Sequence, residues 1–178
     1  MSIFVKLKSS AMLELIQDPR LRDLLTKREF RLSQEELHRE FVNQAADEEE
    51  MQELALTVGE GFLEISGRMK KRPLPFAIPF SARFSLHSLE FSARSKAVHL
   101  RLEELKPFSL DSLTKKLVEK VPFLSFADGL VTVHLVKVPR LAGLLTCQVK
   151  GFRPFDHIVL KELSFRAGEV VGRVGVLL

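Results

Sequence analysis

One segment near the middle of the chain alternates apolar and polar residues from position 76 to position 86. This alternation is typical of a β-strand with one apolar face, because successive side chains of a strand point to opposite sides. Most strands have about five or six residues, and long sheets twist and coil, so we expect a long, curved strand. The apolar positions are Phe76, Ile78, Phe80, Ala82, Phe84 and Leu86.

The alternation shifts by one residue after Leu86. The next apolar positions are Leu89 and Phe91, so one extra residue near His87 and Ser88 must be accommodated. A β-bulge accommodates such a residue and increases the local bend of the strand. The sequence therefore predicts a bulge and a bend at this point.

Shorter alternating segments surround the long strand. Turn residues separate them, as in Gly59-Glu60-Gly61, and no parallel crossover pattern is present, which favours an antiparallel sheet. The further predicted strands run through residues 54–58, 62–69, 98–102, 131–135, 144–149, 158–165 and 170–178.

Helices are predicted where the apolar period changes. Ser33 and Glu36 have the spacing of a capping box, which opens a helix, and earlier helices are predicted through residues 4–15 and 21–25. Leu110, Leu113 and Leu117 form one stripe of a predicted helix at residues 109–121. We thus expect one α+β domain over residues 1–178, with residues 1–52 helical and residues 53–178 forming a curved antiparallel sheet, with helix 109–121 packed against its Phe-rich face.

Composition describes a globular chain of 178 residues, 46% of them hydrophobic. Its N-terminus lacks the apolar run of a signal peptide, and no segment has the roughly 20 apolar residues of a spanning helix. The single cysteine, Cys147, agrees with a reducing compartment. These features predict a cytoplasmic protein, with a peripheral contact to an anionic membrane as the alternative.

Basic residues concentrate in the second part of the chain. Residues 1–60 carry 8 basic and 13 acidic side chains, whereas residues 61–178 carry 19 and 10. Four cations fall in one turn beside Pro73 and Pro75, where they either keep an edge soluble or meet anionic lipid head groups. These head-group candidates are Arg68, Lys70, Lys71 and Arg72.

Catalytic and metal-binding patterns are weak. The histidines lack the spacings of metal ligands, and one cysteine cannot form a zinc site; adjacent Glu103 and Glu104 point apart on a strand. No cofactor is expected. Stacking of nucleic-acid bases needs exposed aromatic rings, yet Trp and Tyr are absent and several Phe residues share the apolar phase. We therefore predict a non-enzymatic protein that does not bind nucleic acid.

The order of these segments resembles a known family. Residues 33–138 contain, in order, a helix, LALTV, GEG, FLEISGRMK, FAIPFSARF, AVHLRLEEL, a second helix and DGLVTVHL. This order resembles that of the LmeA-like phospholipid-binding domains of the tubular lipid-binding (TULIP) proteins. The resemblance implies a curved sheet around a helix, with an apolar groove for acyl chains. It places Phe76, Ile78, Phe80, Phe84 and Leu86 on the concave wall, and Leu110, Leu113 and Leu117 on the helix that faces it.

The expected function is therefore the binding of a lipid or another apolar ligand. Leu89 and Phe91, beyond the phase shift, are included in the expected ligand-binding wall. A packed core explains the same Phe residues equally well. The alternative function is a protein-interaction module that holds an amphipathic partner helix on the curved sheet.

Overall fold

The computed structural model describes residues 19–45, 50–70, 72–107, 115, 118–146, 148 and 151–176. The helices are α1 (Pro19–Lys27), α2 (Gln34–Ala45) and α3 (Pro139–Leu145), and 3-10 turns lie at Leu135–Lys137 and Pro154–Asp156. The strands are β1 (Glu29–Ser33), β2 (Met51–Gly59), β3 (Phe62–Lys70), β4 (Ala77–Phe91), β5 (Lys96–Lys106), β6 (Leu124–Ala127), β7 (Leu130–His134), β8 (Ile158–Arg166) and β9 (Glu169–Val176).

The strands form two antiparallel sheets. A six-stranded sheet has the order β2-β3-β4-β5-β7-β6, and a three-stranded sheet has the order β1-β9-β8. All strand pairs of the described residues are antiparallel. The α+β class and the antiparallel pairing are thus confirmed, whereas the strands belong to two sheets.

Strand β4 is the long strand that the alternation predicts. It has 15 residues and pairs with β3 on one side and β5 on the other. Its pairing with β5 shifts between Leu86 and Ser88, so the predicted bulge is confirmed. A second shift lies at Arg83/Phe84 and was not predicted.

Two local predictions are wrong, and one strand was missed. Residues 1–52 are not entirely helical, because β1 lies between α1 and α2 and pairs with the distant strand β9. The predicted strand at 144–149 is replaced at its start by α3, which begins at Pro139, a residue well suited to the first turn of a helix. Strand β6 was missed because it has four residues, too few for a clear period.

Other predictions lie outside the described residues. These are the helix through residues 4–15, the acidic run at 47–49, Cys147 and most of helix 109–121. From that last segment the structure describes Lys115 and residues 118–121, and residues 118–120 are helical. Within the described parts of the chain, no helix is long and apolar enough to cross a membrane.

The apolar core joins the two sheets. The main cluster includes Phe80 and Phe84 from β4, Phe165 from β8, Val170 from β9 and Phe41 from α2. A second cluster consists of Leu24, Leu145, Phe155 and Ile158. Both clusters therefore contain residues that are far apart in the sequence.

Backbone hydrogen bonds connect the sheets at one end. The amide of Gly61 donates to the carbonyl of Phe165 (3.0 Å), and the amide of Gly168 donates to the carbonyl of Val58 (2.9 Å). Gln34 at the start of α2 donates its amide to Gly168 (2.8 Å). The β2–β3 turn, the β8–β9 turn and α2 thus meet at this end of the molecule.

Candidate functional site

An apolar cavity of about 780 Å³ lies between the two sheets. Its volume falls within the roughly 300–1,000 Å³ that is usual for ligand sites. Both sheets contribute aliphatic and aromatic side chains to its wall, including Ile65, Phe84, Val98, Leu100 and Val131 from the six-stranded sheet and Leu160, Phe165 and Val170 from the three-stranded sheet.

Strand alternation directs these side chains inward. Val98 pairs with Val133 and Leu100 with Val131, on neighbouring strands β5 and β7. Because paired residues of antiparallel strands point to the same face, all four side chains line the cavity. The cavity wall therefore follows directly from the apolar phase of these strands.

Charged residues reach the cavity on one side. All those in its described lining belong to residues 27–40, which comprise the end of α1, β1 and the start of α2. They are Lys27, Glu29, Arg31, Glu36 and Glu40. The described lining thus has an apolar interior and a single charged side.

Ion pairs orient Arg31 on this charged side. Its Nε lies 2.9 Å from a carboxylate oxygen of Glu29, and its Nη1 lies 2.9 Å from Glu169 on β9. The hydrogen bond to Glu29 and the negative charge of Glu169 raise the pKa of Arg31. The guanidinium therefore stays charged and connects β1 to the start of β9.

The capping box sets the start of α2 beside the cavity. The backbone amide of Ser33 donates to the carboxylate of Glu36 (3.0 Å), and the amide of Glu36 donates to the Ser33 hydroxyl (3.2 Å). The predicted capping box is thus confirmed. It positions Leu37 and Phe41, on the same helix, at the cavity wall.

Side chains of α2 also bond to the edge strand β2. The amide of Val58 donates to Oε1 of Gln34 (2.8 Å), and the amide of Leu56 donates to Nδ1 of His38 (3.2 Å). Helix α2 therefore satisfies amides of an edge strand that would otherwise need water or another chain. These bonds hold the helix against the sheet.

The residues that the sequence predicts for a ligand-binding wall fall into three groups: some line the cavity, some are in the core, and some are in neither. Phe84 and Phe91 line the cavity. Phe80 is buried in the core, against which Leu86 and Leu89 pack. Ile78 is partly buried, and neither it nor Phe76 belongs to the described lining. Leu110, Leu113 and Leu117 lie outside the described residues.

Phe76 precedes β4, which begins at Ala77. Its side chain is 59% exposed. The alternation in the sequence includes Phe76 in the apolar face, but the residue belongs to the turn between β3 and β4. It therefore faces solvent beside the cationic positions.

The cationic turn is separate from the cavity. Arg68, Lys70 and Arg72 are exposed at the end of β3 and in the following turn, and Lys71 lies outside the described residues. On β3 the cavity lining ends at Ile65. Strands rise about 3.3 Å per residue, so Lys70 lies roughly 16 Å farther along the strand.

Several lining residues were not recognised from the sequence as parts of a site. Phe30 and Leu32 of β1 line the cavity, as do Leu160 of β8 and Val174 of β9. The sequence predicted β8 and β9 as strands from their alternation but did not predict β1. No local signal indicates that these three strands oppose β4. The ring of Phe30 lies against Gly172, where an added Cβ would approach within 2.2 Å.

A second depression of about 380 Å³ lies beside α2. Polar and charged side chains form most of its wall, including Gln34, Glu35, His38, Arg39 and Asn43. Among the residues with described positions, no group of three or more His, Cys, Asp and Glu side chains is arranged to hold a metal ion. The cavity between the sheets is therefore the better-defined candidate site.

Comparisons of the chain with protein-family models, with curated proteins and with solved structures gave no match.

Proposed function

We propose that this chain binds an apolar ligand, specifically the acyl chain of a lipid, in the cavity between its two sheets. The observation that carries the proposal is the 780 Å³ volume with its aliphatic and aromatic wall. Each methylene group removed from water contributes about 0.8 kcal/mol. A chain of many methylenes would therefore gain a large stabilisation in such a wall.

The distribution of charge favours an amphiphile over a hydrocarbon. Charged side chains of the described lining are confined to residues 27–40. An acyl chain would occupy the apolar interior, and its polar head would lie next to β1 and α2. The opposite orientation would bury the polar head in the apolar interior, which would be costly.

The proposed role is binding without catalysis. The described wall supplies mainly van der Waals contacts from both sheets, which is the chemistry of a carrier or sensor. The segment order that resembles LmeA-like domains supports the same ligand class. Phospholipid is therefore the first candidate within it.

Lipid analysis of the purified full chain tests this function. Native mass spectrometry should detect protein with bound species, and solvent extraction should release lipids in proportion to protein. Fluorescence of cis-parinaric acid, an apolar chain with a carboxylate head, should rise on binding and fall when phospholipid competes. A protein that carries no lipid and does not bind the probe would refute the proposal.

The protein-interaction module makes a different prediction in the same preparation. A stoichiometric protein would co-purify, and its binding would not respond to added phospholipid. That result, together with absent probe binding, would favour a module that holds an amphipathic partner helix.

A further inference from the structure

The turn between β3 and β4 presents an apolar ring to solvent. Among the described residues, two large apolar side chains are prominently exposed, Phe76 at 59% and Val136 at 39%. Phe76 follows Pro73, Leu74 and Pro75, and Pro73 and Pro75 are themselves exposed. Proline restricts the backbone, so this turn presents the ring on a constrained loop.

Three cations precede this ring in the sequence and form no ion pair with the described acidic residues. Arg68, Lys70 and Arg72 are exposed, and within the described part of the chain none of them forms an ion pair. The guanidinium of Arg68 instead donates to the carbonyl of Ala77 (3.3 Å), next to Phe76. The cationic group and the ring are therefore neighbours.

The carboxylate of Glu50, the residue next to the turn, is paired with another lysine. The carbonyl of Glu50 accepts a hydrogen bond from the amide of Lys70, but its carboxylate lies 3.5 Å from Nζ of Lys120. Glu53 follows Gln52, which pairs with Arg68 across the strands, and among the described residues it forms no ion pair with the turn. The positive charge of Arg68, Lys70 and Arg72 is therefore not neutralised by an ion pair within the described residues.

We propose that the β3–β4 turn docks on an anionic lipid bilayer. Phe76 would enter the layer between head groups and acyl chains, where aromatic rings are favoured. Arg68, Lys70 and Arg72 would contact lipid phosphates at the surface, where each cation contributes to attraction. This surface is separate from the cavity, so the docking does not depend on the ligand proposed for the cavity.

A bilayer fits this geometry better than nucleic acid does. Proteins that bind single strands combine a basic groove with several rings for successive bases. The turn instead offers one protruding ring next to proline and leucine. A surface that accepts one apolar side chain between charged groups is the matching partner.

Co-sedimentation with vesicles tests the docking. The full chain is mixed with vesicles of phosphatidylcholine alone and with vesicles that also contain phosphatidylglycerol. Phe76→Ser is compared with Val136→Ser, the other exposed apolar residue. The double variant Lys70→Glu/Arg72→Glu is compared with Arg94→Glu/Arg166→Glu, which changes net charge equally at exposed positions elsewhere.

The expected result is binding that requires phosphatidylglycerol. Phe76→Ser should weaken it about tenfold, because the ring no longer leaves water. The loss of two cations should weaken it by about thirty-fold or more. Both control variants should lose much less affinity for the vesicles than the turn variants do. All the changed side chains are exposed, and thermal unfolding should confirm that each variant is folded.

Other outcomes would overturn the proposal. These are binding that ignores vesicle charge, no binding to either vesicle, or equal losses in the turn variants and their controls. A further outcome is that the parent chain binds a fluorescent single-stranded oligonucleotide and no vesicles. If the Lys70→Glu/Arg72→Glu variant alone loses that binding, the turn binds nucleic acid. Probe binding in the cavity should be unchanged in Phe76→Ser, so the two proposals can fail separately.

Discussion

The ammonium group of Lys96 lies 3.8 Å from the carboxylate of Asp156. Lys96 begins β5 in the six-stranded sheet, and Asp156 ends the turn that precedes β8 in the other sheet. The lysine side chain is 4% exposed, and its ammonium also donates to the carbonyl of Ser92 (2.9 Å) and faces the ring of Phe91 at 5.5 Å. A buried cation thus connects the two sheets near the cavity wall.

Asp156→Ala should destabilise the protein by about 1–3 kcal/mol in urea unfolding. Removing one partner of a buried pair costs about 3–5 kcal/mol, and the 3.8 Å separation and 29% exposure of Asp156 reduce that value. Lys96→Met should cost less than about 1 kcal/mol, because it removes the buried charge. A larger loss for Lys96→Met than for Asp156→Ala would contradict this account.

The bond between His38 and β2 predicts a second stability effect. His38→Ala leaves the amide of Leu56 without its acceptor, and an unpaired buried amide costs about 1–3 kcal/mol. Arg39→Ala, at the exposed neighbouring position, should change the free energy of unfolding by less than about 0.5 kcal/mol. Equal effects in thermal unfolding would show that this hydrogen bond contributes little.

Two valines distinguish the cavity from the packed core. Val58 is 2% exposed in the main cluster and does not belong to the described lining, whereas Val133 lines the cavity. Val58→Phe should cost about 1–3 kcal/mol by overpacking. Val133→Phe should cost less than about 1 kcal/mol, because the cavity can take the added ring.

The same pair of variants tests the ligand. Val133→Phe should weaken binding of cis-parinaric acid, because the ring occupies volume that the acyl chain needs. Val58→Phe should retain that binding at temperatures where it is folded. If the two variants unfold alike and bind alike, the cavity does not behave as a ligand site.

Deletion of His87 tests the bulge in β4. In the pairing of β4 with β5, Leu86 faces Leu100 and Ser88 faces His99, so His87 is the extra residue. Its removal leaves Leu86 and Leu89 in phase with a regular ladder. The chain should still fold, and weaker probe binding is expected because a strand without a bulge bends less.

Deletion of Ser85 is the comparison variant, because it also removes one residue from β4 between the two shifts but changes which side chains point inward. It would turn Leu86 outward and His87 inward, and the exposed leucine alone costs about 1.5–3 kcal/mol. Circular dichroism and urea unfolding should therefore show a larger loss for this deletion. A larger loss after deletion of His87 would contradict the assignment of His87 as the extra residue.

Local signals predicted much of this fold. The capping box at Ser33 and Glu36, the turn at Gly59–Gly61 and the phase shift after Leu86 depend on neighbouring residues, and all three are confirmed. The division into two sheets depends on β1 meeting β9, which local periodicity cannot reveal. Strand β4 begins at Ala77, so Phe76 lies in the turn and not on the apolar face. Periodicity does not reveal where a strand begins, and the sequence therefore wrongly included Phe76.

The candidate site was predictable only on one side. Alternation in β4 indicated an apolar wall, and Phe84 and Phe91 do line the cavity. Phe80 has the same phase but packs into the core, because facing elements decide whether an inward ring meets protein or open space. The opposite wall, with Leu160 and Val170, depends on how the second sheet packs against the first.

The backbone bonds between the two sheets have a consequence for hydrogen exchange. Amides in turns usually exchange quickly with solvent, because they lie in water and open locally. The amides of Gly61 and Gly168 instead donate across the sheets, to Phe165 and Val58. The protection of these two glycine amides from exchange would therefore measure how often the sheets separate at this end of the molecule.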